Sequence, residues 1–143
     1  MAQVNKQVLI EYTPAQMFAL VDDVARYPEF LPWCAKAEVL SCTSTQTQAR
    51  LHIHYHGIRT HFGTLNTKQA PSEMTLKLVE GPFKQLEGLW RFTPLGEHAC
   101  KIHFQLQYEF SSSMLSKVLN PVFNHIANTF VEAFIERAAV IYR

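Results

Sequence analysis

The chain has 143 residues, of which 48% are hydrophobic and 17% charged, and its formal net charge is +1. That balance fits one domain spanning residues 1–143 around a single core. It argues against a disordered chain and gives no general electrostatic case for nucleic acid, DNA included, although a local basic patch stays open. Cys34, Cys42 and Cys100 are odd in number, far apart and without a C-x-x-C pair. Neither a disulfide framework nor a zinc cluster is expected, and a reducing compartment fits. Residues 1–6 lack the apolar stretch of a signal peptide, and no apolar run approaches the roughly 20 residues that span a bilayer. The expectation is a soluble, cytoplasmic protein with at most transient membrane contact.

In chain order, residues 3–12 alternate Val4, Val8 and Ile10 with polar side chains and predict a first strand. Thr13-Pro14-Ala15-Gln16 is a helix start: Thr13 caps, Pro14 suits the first helical position and Gln16 completes a capping box. Met17, Leu20, Val21 and Val24 then form an apolar face. Tyr27-Pro28-Glu29-Phe30-Leu31-Pro32-Trp33 interrupts that helix as a stiff hydrophobic elbow, either a packed loop or a ligand gate.

Strands are predicted over residues 35–44, 48–56, 58–68, 74–80, 86–93 and 99–110. In the second of these, Leu51, Ile53 and Tyr55 fall on one side and His52, His54 and His56 on the other. In the last, Ile102, Phe104, Leu106, Tyr108 and Phe110 oppose Lys101, His103, Gln105, Gln107 and Glu109. Such alternation implies an antiparallel sheet with one wet face and one buried face, and the short turns favour a meander. Gly63 and Gly88 inside strands predict bulges or bends.

After the Ser111-Ser112-Ser113 turn, Leu119, Val122, Phe123, Ile126, Phe130, Phe134 and Ile141 recur at helical spacing. Asn120-Pro121 predicts a break, with a short piece over 113–119 and a main helix over 121–142. The order of elements makes the fold α+β, with a curved antiparallel sheet around a long C-terminal helix and two short helices after the first strand. One helix covering one curved sheet tends to leave space between them.

Few residues carry catalytic chemistry. Neither Cys34 nor Cys100 has a context that lowers a thiol pKa, Asp22-Asp23 has no visible partner, and no glycine-rich phosphate loop occurs. No catalytic residue, cofactor or metal is assigned. His52, His54 and His56, with His61 beyond the turn, could ligate a transition metal, but the simpler reading is a solvated face. Arg137 falls in line with the apolar stripe. Either its stem packs while its head reaches solvent, or it faces a polar headgroup at a pocket mouth.

The elbow Tyr27 to Cys34, the segment Val79-Glu80-Gly81-Pro82-Phe83-Lys84 followed by Leu86, Gly88, Trp90, Phe92 and Pro94, and the ending Phe134-Ile135-Glu136-Arg137-Ala138 carry a resemblance. With them, essentially from end to end, the chain resembles the coenzyme Q-binding START-like (polyketide cyclase/dehydrase-type, SRPBCC) family. Within that family it looks closest to the bacterial ribosome-association toxins. The motifs are specific together and not singly. The resemblance implies a helix-grip fold, START-like or Bet v 1-like, with a hydrophobic cavity. Mitochondrial members are linked to ubiquinone and respiration. The toxins are linked to binding the large ribosomal subunit, blocking subunit association and inhibiting translation initiation.

Three expectations follow. The first is a non-enzymatic binder of a hydrophobic small molecule, an isoprenoid quinone (ubiquinone) or other lipid, supporting respiration. Its expected walls are Phe30, Trp33, Ile53, Tyr55, Phe62, Leu76, Phe83, Trp90, Phe104, Phe123, Ala127 and Phe130, with Arg137 at the mouth. The second is a toxin of a toxin–antitoxin pair that docks on the large ribosomal subunit through clustered cations, drawn from Arg50, Arg59, Lys68, Lys77, Lys84, Arg91 and Lys101. The third is a cryptic cyclase or dehydrase, ranked last because shared fold does not license an activity. The cavity entrance is expected at the elbow or at the Gly81–Phe83 loop, beside the Pro121 joint.

Overall fold

The computed structural model describes residues 2–143. Seven strands form one antiparallel sheet: β1 (Ala2–Ile10), β2 (Cys34–Cys42), β3 (Gln46–Tyr55), β4 (Ile58–Gln69), β5 (Glu73–Glu80), β6 (Phe83–Pro94) and β7 (Cys100–Phe110). Across the sheet they run β1-β7-β6-β5-β4-β3-β2. β2 to β7 are therefore a meander, and β1 pairs with the last strand. Helix α1 (Pro14–Asp22) and a 3-10 segment, Val24–Glu29, carry the chain from one sheet edge to the other. Helix α2 (Ser113–Ile141) lies on the inner face. This is the expected α+β helix-grip arrangement, with its two short helices.

Local chemistry sets the element boundaries. The Thr13 hydroxyl accepts from the Gln16 amide at 3.1 Å, and the Gln16 side chain accepts from the Thr13 amide at 2.9 Å, so the capping box is complete. Ser112 caps α2 by accepting from the Leu115 amide at 3.2 Å. The β3–β4 hairpin turns on His56 and Gly57, both at positive φ (49° and 79°), which matches the twist of a two-residue hairpin. Gly63 sits at a register shift between β4 and β5, as expected of a bulge. Gly88 does not: it stays in register between Leu76 and Leu106. A Cβ there would meet Leu76 Cδ1 at 3.0 Å and Leu106 Cδ1 at 3.3 Å, so this glycine admits close packing and carries no bulge.

The break expected at Asn120-Pro121 does not form, because α2 is one helix of 29 residues with Pro121 inside it. Proline forfeits one backbone hydrogen bond and crowds the preceding turn. Leu119, Val122 and Phe123 are all buried around it, and a joint would expose them. Packing therefore overrides the local signal.

Aromatic side chains fill the space between helix and sheet. Trp90 lies 4.6 Å from Phe104, 5.6 Å from Phe130 and 5.4 Å from Phe134, measured between ring centroids. A second group joins Phe83 to Phe123 at 4.9 Å and to Phe110 at 5.0 Å. The acidic pair that lacked a visible partner finds two. Asp22 meets Lys68 at 3.1 Å, and Asp23 meets Arg26 at 3.1 Å. Lys68 is a buried inward-facing side chain, and thus no part of an exposed basic surface.

Two variants test this packing. Phe134→Ala removes a fully buried ring and is expected to cost about 3–5 kcal/mol in urea unfolding. Pro121→Ala is expected to stabilise by about 1–2 kcal/mol with unchanged far-UV helicity, since the helix is already continuous there. A gain of helical signal in that variant would instead indicate a joint.

Candidate functional site

Strand parity places one set of side chains inside. On β3 and β4, Ala49, Leu51, Phe62, Thr64 and Asn66 face α2, and on β5 to β7 so do Leu76, Leu86, Trp90, Phe104 and Leu106. With Val24, Tyr27 and Trp33 from the elbow, and Phe123, Ile126, Ala127 and Phe130 from α2, they enclose a cavity of about 70 Å³. A water molecule's share of liquid is about 30 Å³, and pockets for drug-sized ligands run roughly 300–1,000 Å³. The interior is therefore nearly filled.

Eight of the expected wall residues line this space: Trp33, Phe62, Leu76, Trp90, Phe104, Phe123, Ala127 and Phe130. Five lie outside it. Ile53 is buried opposite Cys34 at the β2–β3 pair. Phe83 belongs to the aromatic cluster at the far end. Tyr55 stacks on His125 at 4.9 Å with an interplanar angle of 11°. Phe30 packs edge-on against Phe134 at 5.1 Å. Arg137 turns away to Glu29, which its Nη2 meets at 2.7 Å, while its guanidinium rests 5.1 Å from the Phe30 ring centre. This latch closes the elbow over the helix and uses the charge that a headgroup would have needed. Both expected entrance routes are packed with aromatic rings.

The sequence reading missed Val24, Tyr27, Ala49, Leu51, Thr64, Asn66, Leu86, Leu106 and Ile126. Parity alone would have found Thr64 and Asn66, which share a β4 face with Phe62. They form the polar end of the cavity, where the Thr64 hydroxyl donates to Asn66 Oδ1 at 2.7 Å. Tyr27 donates its hydroxyl to the Val21 carbonyl, and burial pushes its pKa far above the ordinary phenol range. Burial also pushes the Cys34 and Cys100 thiols up to about 11, which makes them poor nucleophiles.

The outer face is different. Arg50, Gly63 and Glu80 lie in line across β3, β4 and β5. Gly63 has no side chain, so the Glu80 side chain lies over it and meets Arg50. Glu38 accepts from His52 and lies 3.8 Å from Arg50 and 3.9 Å from Lys36. The His52 hydrogen bond, helped by the Lys36 and Arg50 charges, holds the Glu38 carboxyl below its usual pKa; the Arg50 hydrogen bond does the same for Glu80. His52 and His54 face outward, while His56 falls in the turn. Among the described residues, no group of three His, Cys, Asp or Glu side chains could hold a metal ion. No helix there is long and apolar enough to cross a membrane.

A carboxyl lowered by folding stabilises the protein above its unfolded pKa, and that contribution is lost as pH falls through the folded value. Glu80→Gln is therefore expected to lower the urea midpoint at pH 7 and to narrow the drop in midpoint between pH 7 and about pH 3 relative to the parent. An equal drop in both proteins would show that the pair adds nothing to acid sensitivity.

Comparison with known proteins gives these features a setting. A family model described as polyketide cyclase / dehydrase and lipid transport matches residues 10–135. The ribosome association toxin RatA of Vibrio cholerae is 44% identical over 115 residues, covering 80% of each chain. RatA of Escherichia coli K12 is 39% identical, over 80% of this chain and 73% of that one. The mitochondrial coenzyme Q-binding protein COQ10 homolog B of Xenopus laevis is 28% identical, over 78% of this chain and 48% of that one. Two solved structures share the fold. The Zhui aromatase/cyclase from a Streptomyces species superimposes with a TM-score of 0.82 at 17% identity, over 99% of this chain and 96% of that one. A START superfamily protein from Mycobacterium smegmatis does so at 0.76 and 21%, over 97% and 98%.

Proposed function

The chain belongs to the polyketide cyclase / dehydrase and lipid transport family, and from that premise we propose that it is a non-enzymatic ribosome-association protein that binds the large ribosomal subunit and blocks subunit joining. What carries this reading is the similarity to proteins named ribosome association toxins, at 39–44% identity over 80% of the chain. The interior agrees with it, since a space of about 70 Å³ leaves little room for a ligand. The cyclase among the structural neighbours is 17% identical and speaks for the fold alone. On this reading the protein works in the cytoplasm.

The isoprenoid quinone reading, first in order from the sequence, takes second place. Its support is the apolar lining with a polar end at Thr64 and Asn66, together with the COQ10 relative. It requires α2 or the elbow to move outward, because the present space is smaller than a cavity that binds benzene, about 150 Å³.

One variant separates the two readings. Ala127→Leu puts a larger side chain into the cavity at an expected stability cost of about 1–3 kcal/mol. Co-sedimentation with purified large subunits is expected to be unchanged by it, and the parent protein is expected to block joining with small subunits. Absence of co-sedimentation by the parent at low salt, where electrostatic contacts are strongest, sinks the ribosome reading. A quinone extracted from the parent purified from its own cells, and lost in Ala127→Leu, restores the ligand reading to first place.

A further inference from the structure

We propose that the outer face of the β3–β4 hairpin is an RNA-docking surface, seated on the phosphate backbone of folded ribosomal RNA. The inference rests on the ribosome-association reading and names the surface that would carry it.

Sequence supplies the first observation. Between Glu38 and Glu73 there is no acidic residue, while the same stretch holds Arg50, Arg59 and Lys68 and four histidines, His52, His54, His56 and His61. Lys68 is withdrawn inside against Asp22. Four of the others are gathered by register: His52 pairs with His61, and His54 pairs with Arg59. Outward side chains from two strands thus meet in one shallow depression, lined by His52, His54, Arg59 and His61.

Charge then divides the face. On the inner margin Glu38 and Glu80 are occupied by His52, Arg50 and Lys36. Toward the hairpin tip, His54 and Arg59 are exposed and have no ion pair among the described residues, and no carboxylate lies in either strand. Elsewhere on the sheet, Arg91 meets Glu73 at 3.5 Å and Lys84 meets Glu109 at 3.8 Å. A guanidinium fork and imidazole N–H groups are donors suited to phosphate oxygens, so the uncompensated side matches a polyanion.

The tip adds a flat surface. Tyr55, on the inward side, is covered by His125 of α2, and the exposed His56 ring lies beside it with centroids 4.1 Å apart. An exposed ring at the tip, beside the Arg59 guanidinium, is a combination that suits an unpaired base next to its backbone. An acidic protein surface would use the charges but not this ring, which favours RNA.

The experiment measures affinity of the full-length chain for purified large ribosomal subunits across a salt series, with deproteinised large-subunit RNA as competitor. Arg59→Ala is expected to weaken binding about tenfold and to reduce the salt slope by about 1. The triple variant His54→Ala, Arg59→Ala, His61→Ala is expected to lose about a hundredfold or more. The control pair Lys101→Ala and Lys117→Ala, which removes two cations elsewhere, is expected to stay within about twofold of the parent. Unchanged melting temperatures establish that the exposed substitutions leave the fold intact. If the parent binds and the triple variant binds equally, this surface assignment is wrong and ribosome association stands. Binding lost in the triple variant without any competition by naked RNA reassigns the face to a ribosomal protein. A parent that does not bind at low salt overturns both.

Discussion

The contact of Trp90 with Phe104, Phe130 and Phe134 fixes where α2 lies, and almost every other feature depends on that position. These rings meet at 4.6–5.6 Å between centroids, so helix and sheet are held by interlocked aromatic volume. A curved sheet offers one buried face, and a single helix must fill it. How closely the helix sits decides how much space remains. Peripheral ties set the same distance: Tyr142 donates to the Gln16 carbonyl at 2.8 Å, Arg137 reaches Glu29, and Lys6 donates to the Asn128 carbonyl at 3.0 Å. The chain thereby anchors α2 to β1, α1 and the elbow at once.

This arrangement separates two chemistries. Inside, the polar side chains are hydrogen-bonded and the buried thiols are held neutral. Tyr27 bonds a carbonyl, Thr64 and Asn66 bond each other, and the buried thiols are raised by desolvation. Outside, charges are exposed and only partly paired. An interior this apolar gives packing energy, while the charged side chains, Lys68 apart, stand on the surface. The sheet is a rigid platform for them, because each outward residue is fixed by the inward burial of its neighbours.

Gly63 shapes the outer face. A missing side chain on the outer face leaves the room that Glu80 fills on its way to Arg50, and the same residue sits at the register shift between β4 and β5. The ion pair it admits answers the Arg50 charge on the inner margin of the outer face. With Glu38 beside His52, Arg50 and Lys36, that pair makes the compensated half of the face, while His54 and Arg59 lie beyond it.

Alternation by itself settled much of this molecule. Residues 99–110 could only be a half-buried strand, because period two puts Ile102, Phe104 and Tyr108 inward and Lys101, His103 and Gln105 outward whatever they pack against. The Thr13–Gln16 cap was equally legible, since both partners lie within one turn. Local reading failed where long-range packing decided. Pro121 is a break signal whose neighbours are buried by residues far along the chain, so the helix continues. Arg137 fits a pocket mouth on a helical wheel, yet Glu29, 108 positions away, claims it. The volume left under α2 and the alignment of His54 with Arg59 depend on how elements approach one another. Sequence spacing fixes which side of an element a residue occupies; the distance to the opposing side, and hence whether a space is filled or a charge is answered, exists only in the folded chain.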